Sequence, residues 1–366
     1  MKDKLNYDIY DVLWAPLRAL SPKKIFTMTF FLIISLLVYD IFSYIAFVID
    51  GEKLSIIWKV YDFFPFFHIV LKSPLAKIVF GVGLFVCTII VMIGLFSVSA
   101  MEIEKIRGNP FLSIKQSIKF GFQRLNQMLL AELAIVMFLL FVVILFWLFG
   151  LLGRIPIVGE WLVALFFLFP GFIVAIFAVF IFVVFQISVI LLPAVTAAER
   201  KGETFNSILE TFSTIIRQPF RWVGYTAYSL VAAKLAGFVY AYTCYRAVQF
   251  SVLSASMLGG EKIERLTRSG FSHLPIDSSL VKYMFNIFPG FDFSFSLAQW
   301  SRGGTEQVAG YLMSIMLFLI FASVIGYMFS VIAIAQASGF VAIRKIKDNY
   351  KIGDEKPLFA EQNLDK

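Results

Sequence analysis

Histidine and cysteine are nearly missing from this chain, with two of each in 366 residues. His68 and His273 are far apart and have no second His or Cys beside them, so the sequence offers no metal site. Cys87 and Cys244 fall inside apolar runs, where a thiol acts as a small apolar side chain, and without CxxC spacing they imply no disulfide framework. Walker loop, dinucleotide fingerprint, nucleophile elbow and HExxH are all missing, so no cofactor and no catalytic residue is indicated. Charge is scarce as well, at 15% of residues, where an ordinary soluble domain has about 25%. The net charge of +8 sits mainly at the flanks of apolar runs. That placement serves orientation and headgroup contact and speaks against a nucleic-acid partner.

What fills the chain is apolar: 60% of residues are hydrophobic, and the mean hydropathy is +0.84. The runs Ile25–Ile49, Ile78–Ala100, Met128–Leu152, Gly171–Ala198, Val223–Val248 and Val308–Ile343 each reach the roughly 20 residues a helix needs to cross a ~30 Å hydrocarbon core. The expected fold is an all-α polytopic membrane protein of about six transmembrane helices. The N-terminal stretch lacks the apolar core and cleavage site of a signal peptide, so the first span is expected to stay in the mature protein.

The connecting segments have characters of their own. Residues 5–22 carry Leu5, Ile9, Val12, Leu13, Leu17 and Leu20 at helical spacing, which suits a helix in the interface, with Lys23 and Lys24 as headgroup anchors. Segment 50–77 is too broken by charge and proline to cross. Two segments, Arg107–Met128 and Lys201–Trp222, read as amphipathic elbows at one membrane surface, the first starting with Asn109 as N-cap and Pro110 at the first helical position. Pro170-Gly171 interrupts helical pattern, and the sequence favours a separate short helix over Trp161–Phe169 above a single kinked helix. Segment 249–304 reads as a large extracytoplasmic loop; its carboxylates Glu261, Glu264, Asp277 and Asp292 read as solvated charge. The tail 353–366 is expected to be disordered. Twenty of the 32 Lys and Arg lie in 1–24, 102–126, 199–221 and 344–366, which predicts that both termini and both elbows are cytoplasmic.

The elbows align without gaps: Arg107 with Lys201, Gly108 with Gly202, Phe111 with Phe205, Ser113 with Ser207, Ile114 with Ile208 and Ser117 with Thr211. A parallel internal repeat follows, with hairpin units of about 5–106, 107–200 and 201–352 in one transmembrane domain, 1–352, arranged about an axis along the membrane normal. The glycines are expected to end protruding helices. An apolar span, Arg or Lys before Gly, then an amphipathic helix with Phe-x-Ser-Ile resembles the multi-span membrane domain attached to some bacterial glycerophosphoryl diester phosphodiesterases, which also occurs alone. The resemblance covers about 90–225 and implies a fold in a bacterial cytoplasmic membrane. It implies no activity, and nothing here looks like the phosphodiesterase catalytic domain.

Ionisable residues within spans are costly and therefore candidates for function. Counted from the cytoplasmic ends at ~1.5 Å per residue, Glu132 lies about 10 Å deep, Lys234 about 18 Å and Asp40 about 24 Å. One reading is an ion relay or charged pocket in which Lys234 meets a carboxylate. The other is a structural ion pair, with Glu132 snorkelling to the interface. The expected function is that of a non-enzymatic scaffold or accessory subunit with membrane lipids and protein partners. The alternative is a small transporter or lipid-handling protein with a pocket lined by Asp40, Lys234, Tyr225, Tyr228, Tyr240 and Tyr242.

Overall fold

The computed structural model describes residues 5–61, 63–65, 71–274 and 304–359. All regular elements among them are helical: α1 (Ile9–Leu13), α2 (Ala15–Ala19), α3 (Pro22–Ile49), α4 (Leu54–Tyr61), α5 (Pro74–Ile106), α6 (Ile114–Gln123), α7 (Leu125–Leu152), α8 (Val158–Phe166), α9 (Phe172–Ala198), α10 (Thr204–Arg217), α11 (Pro219–Gly259), α12 (Glu261–Ser272) and α13 (Thr305–Asp348). Two compact units are formed. One holds Met1–Leu13, Leu95–Thr226 and Ala333–Lys366, the other Trp14–Gly94 and Ala227–Ile332. Helices α5, α11 and α13 each contribute to both, so the packing units do not follow the order of the hairpins.

Among the described residues, five helical stretches are long and apolar enough to cross a membrane: Pro22–Ile49, Pro74–Ile106, Leu125–Leu152, Phe169–Ala198 and Thr305–Asp348. The sixth expected span lies in α11, which has 41 residues, but its tyrosines, serines and Lys234 dilute its apolar character. The protein itself buries only 11% of the most apolar window of α7 and 17% of that of α9. Helices apolar on all sides and left uncovered call for a non-aqueous surrounding. The architecture is thus consistent with a polytopic membrane protein.

Within the first unit, α7, α9 and α10 pack on one another. Phe120 of α6 meets the edges of Phe96 and Phe359 at 5.1 and 5.2 Å. In the second unit, Ala46, Phe47, Ile57, Leu71 and Ala76 form one buried cluster, and Ala241 and Val324 form another with Phe238, Tyr240, Phe321 and Met328 around them. Asp50 closes the connection between α3 and α5: its carboxylate accepts the Ser73 N–H at 2.6 Å and the Lys72 N–H at 3.0 Å.

Several local expectations need correction. The N-terminal amphipathic helix is two short helices broken at Trp14, because Pro16 has no N–H to donate to the preceding turn. Lys24 does not reach out to headgroups; it is buried, and its Nζ donates to the Arg18 carbonyl at 3.1 Å, closing the end of α2. No separate short helix precedes Pro170. Residues 158–198 form one helical run in which Phe167–Gly171 winds as a π turn, the wider spacing that accommodates a proline without an N–H. The expected loop 249–304 begins as helix: no Pro or Gly occurs from Gln249 to Leu258, so α11 continues to Gly259. Gly260 at φ +60° then turns the chain into α12, where Glu261 with Arg265 and Glu264 with Arg268 pair at one-turn spacing. His68, Asp277, Asp292 and the Phe288–Phe291 run lie outside the described residues, as do 360–366.

Candidate functional site

The most concentrated chemistry in the molecule stands where α5 ends. Gly108 at φ +102° lets its N–H reach the Lys105 carbonyl at 3.0 Å while Asn109 N–H reaches that of Glu104 at 2.8 Å. This double closure uses a left-handed glycine, as the sequence predicts. It leaves Arg107 and Glu104, one turn apart, facing inward with 1% of each exposed. The Arg107 guanidinium donates to Glu104 Oε1 at 3.2 Å, to Glu355 Oε2 through Nε at 2.9 Å and Nη2 at 2.6 Å, and to the Ala198 carbonyl at the end of α9 at 2.6 Å. Glu104 also accepts the Leu358 N–H at 3.1 Å, and Glu355 Oε1 accepts the Tyr350 hydroxyl at 2.7 Å. Such a buried cluster survives desolvation only because the planar guanidinium fork and both carboxylates find several partners each.

Glu355 brings the tail with it. Ile352, Gly353 and Phe359 are buried, so residues 353–359 are ordered against this unit rather than disordered as their composition suggests. The reason is tertiary: a short polar segment supplies one carboxylate to a buried arginine and one phenylalanine to Phe120.

Beside the cluster opens a cleft of about 360 Å³, lined by Val195, Ala198, Glu199, Arg200, Lys201, Asn206, Leu209, Glu210, Phe340, Arg344, Tyr350 and Glu355. Its acids are occupied. Glu199 accepts the Gly202 N–H and lies 3.7 Å from Arg124; Glu210 accepts Lys347 Nζ at 2.8 Å; Glu355 holds Arg107, with Arg200 3.5 Å away. Its cations are less so. Arg344 lies over the rings of Tyr350 at 4.8 Å and Phe340 at 5.9 Å, and among the described residues neither it nor Lys201 has a carboxylate partner. The hydroxyl of Tyr350 titrates above its ordinary range because it donates to the Glu355 carboxylate, with burial adding to the effect. Partial burial pulls the Arg124 guanidinium down, against the attraction of Glu199.

The aligned elbow residues do not play aligned parts. Helix α6 starts late, with Ser113 as its N-cap in a reciprocal capping box with Gln116. The expected cap, Asn109, instead accepts the Phe111 N–H at 3.2 Å. In the second elbow the helix begins at Thr204, so Ser207 lies inside it, fully buried, and accepts from Gln127 Nε2 at 2.6 Å. Gly202 does take a left-handed conformation, φ +79°, but as a turn after α9 rather than its direct closure. Phe111 and Phe205 are 87% and 68% exposed, so neither fills a core.

Each of the three span charges has its own local surroundings. Asp40 accepts the Phe64 N–H at 3.1 Å, next to Tyr39, whose hydroxyl donates to the Pro65 carbonyl at 3.0 Å. Both pin a turn in which Phe64 has φ +56°. Glu132 does not snorkel; it is 9% exposed and accepts Ser188 Oγ at 2.9 Å, joining α7 to α9, while its Oε1 has no hydrogen-bond partner among the described residues. Lys234 has no hydrogen bond or ion pair among the described residues. Of the candidate pocket tyrosines, Tyr240 packs on Tyr327 at 5.2 Å, and Tyr242 lies under Arg246. His273 ends α12, its Nδ1 2.7 Å from the Ser269 carbonyl oxygen. Among the described residues no group of three His, Cys, Asp or Glu is placed to hold a metal ion.

Reading by motif reached Arg107, Lys201 and Gly202 but missed Glu104, Arg344, Tyr350 and Glu355. The one local signal was the charged run Glu102-Ile-Glu104-Lys105-Ile-Arg107 continuing an apolar helix. Set against known families, characterised proteins and solved structures, the chain has no match.

Proposed function

We propose that the protein is a scaffold or accessory subunit of a complex in a bacterial cytoplasmic membrane, with α11 as a sixth span and both termini and both elbows on the cytoplasmic side. The observation that carries this reading is the Arg107 cluster. It joins the end of α5, the end of α9 and the chain after α13 through one buried guanidinium. Lys347 of α13 adds bonds to Glu210 and Ser213 of α10 at 2.8 and 3.0 Å. The result is a fixed polar platform, a surface suited to holding a partner rather than to turning over a substrate. The same reading takes the elbows as belonging to the membrane-domain family they resemble, which brings an architecture and no activity.

Purification from the native membrane in a mild detergent, followed by intact-complex mass spectrometry, tests it. The expected result is a stoichiometric protein partner whose retention falls on charge reversal of either of two exposed cations beside the platform, Lys356, next to Glu355, or Arg217, 3.5 Å from Asp348. A chain that stays alone at native abundance and moves a solute or lipid in proteoliposomes overturns it.

A second reading, a lipid-handling protein or small transporter, is favoured by one feature. In the second unit a groove of about 590 Å³ is lined by Phe26, Phe30, Ile33, Leu319 and Tyr240 among others, with Thr29 and Ser323 as its polar members. A groove so apolar suits an acyl chain, and movement of a solute or lipid by the purified protein in proteoliposomes distinguishes the two readings.

A further inference from the structure

We infer that the cleft beside the Arg107 cluster binds the phosphate-bearing headgroup of an anionic phospholipid, with Arg344 and Lys201 as its principal contacts and Arg200 at its rim. Three observations meet here. The first is charge. The cleft is lined by three cations and three carboxylates, but Glu199 and Glu210 are engaged by Arg124 and Lys347, which do not line it, and Glu355 is shared by Arg107 and the rim residue Arg200. Lys201 and Arg344 are therefore left without a carboxylate partner among the described residues. The second is pre-organisation. Arg344 is held between Phe340 and Tyr350, and the Tyr350 hydroxyl is itself fixed on Glu355, so the guanidinium fork is positioned without a carboxylate using its donors. A fork of that kind matches two oxygens of a phosphate, with a lysine adding a point charge.

The third is position. The lining includes Val195 and Ala198, the last turn of a stretch apolar enough to cross a membrane, and Lys201 follows three residues later. Cations at the end of a span stand at the depth of lipid headgroups. Leu209 and Phe340 give the cleft an apolar wall for the glycerol end of a lipid, and its size falls within the roughly 300–1,000 Å³ of small-molecule sites. A free phosphate would have no use for that wall, which favours the lipid. The inference rests on the membrane reading of α9 and not on the scaffold role.

The test uses the full-length protein in nanodiscs of phosphatidylcholine with and without phosphatidylglycerol, the lipids retained after transfer to detergent being counted by native mass spectrometry. The wild type is expected to keep one phosphatidylglycerol in preference to phosphatidylcholine. The double variant Lys201→Gln with Arg344→Gln should lose that preference by about tenfold or more, the size of one lost charge-assisted contact. Lys201→Gln alone, at an exposed position, should weaken it without altering unfolding temperature. Arg344→Lys, which keeps charge but not the fork, should fall between. Equal retention by wild type and double variant overturns the site. Release of the lipid by millimolar inorganic phosphate, with phosphate itself binding, overturns the lipid in favour of a soluble phosphate ligand. A protein that fails to enter nanodiscs at all contradicts the membrane reading instead, so the two failures are separable.

Discussion

At Arg107, one side chain ties a carboxylate one turn away to a carboxylate and a backbone carbonyl from two distant parts of the sequence, and its removal has a calculable sign. Arg107→Ala leaves Glu104 buried without a counter-ion and Glu355 with only the half-exposed Arg200, and breaking a buried pair in this way costs about 3–5 kcal/mol. The expected outcome is a large drop in unfolding temperature, read by the protein's tryptophan fluorescence. Glu355→Gln keeps the side chain's shape and should cost less, but it should free the tail, visible as faster tryptic cleavage after Lys351. Alkaline pH tests the same contact. The Tyr350 hydroxyl is raised above its ordinary range by the Glu355 carboxylate it donates to. A raised folded value means that its contribution is complete below the unfolded value, about 10, and is lost as pH climbs through the folded one. Tail proteolysis should therefore rise above about pH 10, and a Tyr350→Phe variant should lack that rise. Asp50 behaves in the opposite sense. The N–H groups of Ser73 and Lys72 hold its carboxyl below the usual range, so its support of the α3–α5 connection is present above about pH 4 and fades as acid carries it through its lower folded value. Protection of the Lys72 and Ser73 amides against hydrogen exchange, relative to their intrinsic rates, should fall there, and Asp50→Asn should remove that fall.

Among the elements, the two elbows show how far an aligned motif reaches. Both contain a left-handed glycine and an amphipathic helix, and both features were legible, because only glycine takes φ near +80° to +100° freely and an apolar stripe has a period. Where each helix starts was not legible. A Ser followed three residues later by Gln competes with Asn-Pro as a start signal, and in the first elbow the capping box wins. The second elbow keeps the pattern in Ser207 and Glu210, but its helix has already begun at Thr204 and Glu210 is taken by Lys347, so no box forms there. The two serines should respond differently to one substitution. Ser113→Ala removes a cap and should cost about 1 kcal/mol, whereas Ser113→Asp restores it. Ser207→Asp buries a charge against Gln127 and should be far more damaging than Ser207→Ala. Denaturant unfolding of the four variants reads the difference. Gly202→Ala adds a clash to the strained conformation, since a methyl there would overlap the Arg124 guanidinium. It should destabilise more than Gly51→Ala, which shares a positive φ but opens onto free space.

For the whole molecule, the apolar stretches of α3, α5, α7, α9 and α13 leave most of their windows uncovered by protein, and topology is the property to measure. With both native cysteines replaced, a single cysteine at Lys351 should react with an impermeant maleimide only from the cytoplasmic side, and one at Glu160 only from the far side. Reversed labelling would invert the orientation that the Lys and Arg distribution implies. The division into two units also belongs to this scale. Each of α5, α11 and α13 serves both, which a hairpin-by-hairpin reading does not anticipate.

The sequence by itself determined the class and placed the apolar helices, because burial in hydrocarbon is written in composition and run length and needs no partner to be read; it did not set their ends, since α11 and α13 run past their apolar stretches to 41 and 44 residues. It also determined where the chain turns back, through Gly108 and Gly202. Only the tertiary structure decided which charges matter. Arg107, Glu104 and Glu355 are separated by up to 251 positions, and nothing local tells a buried arginine from a solvated one. Of the span charges prominent in sequence, a turn took Asp40 and Ser188 took Glu132. A charge declares its cost in the sequence, but its partner is chosen by the fold, since the energy of an ion pair depends on distance and burial that only the assembled helices supply.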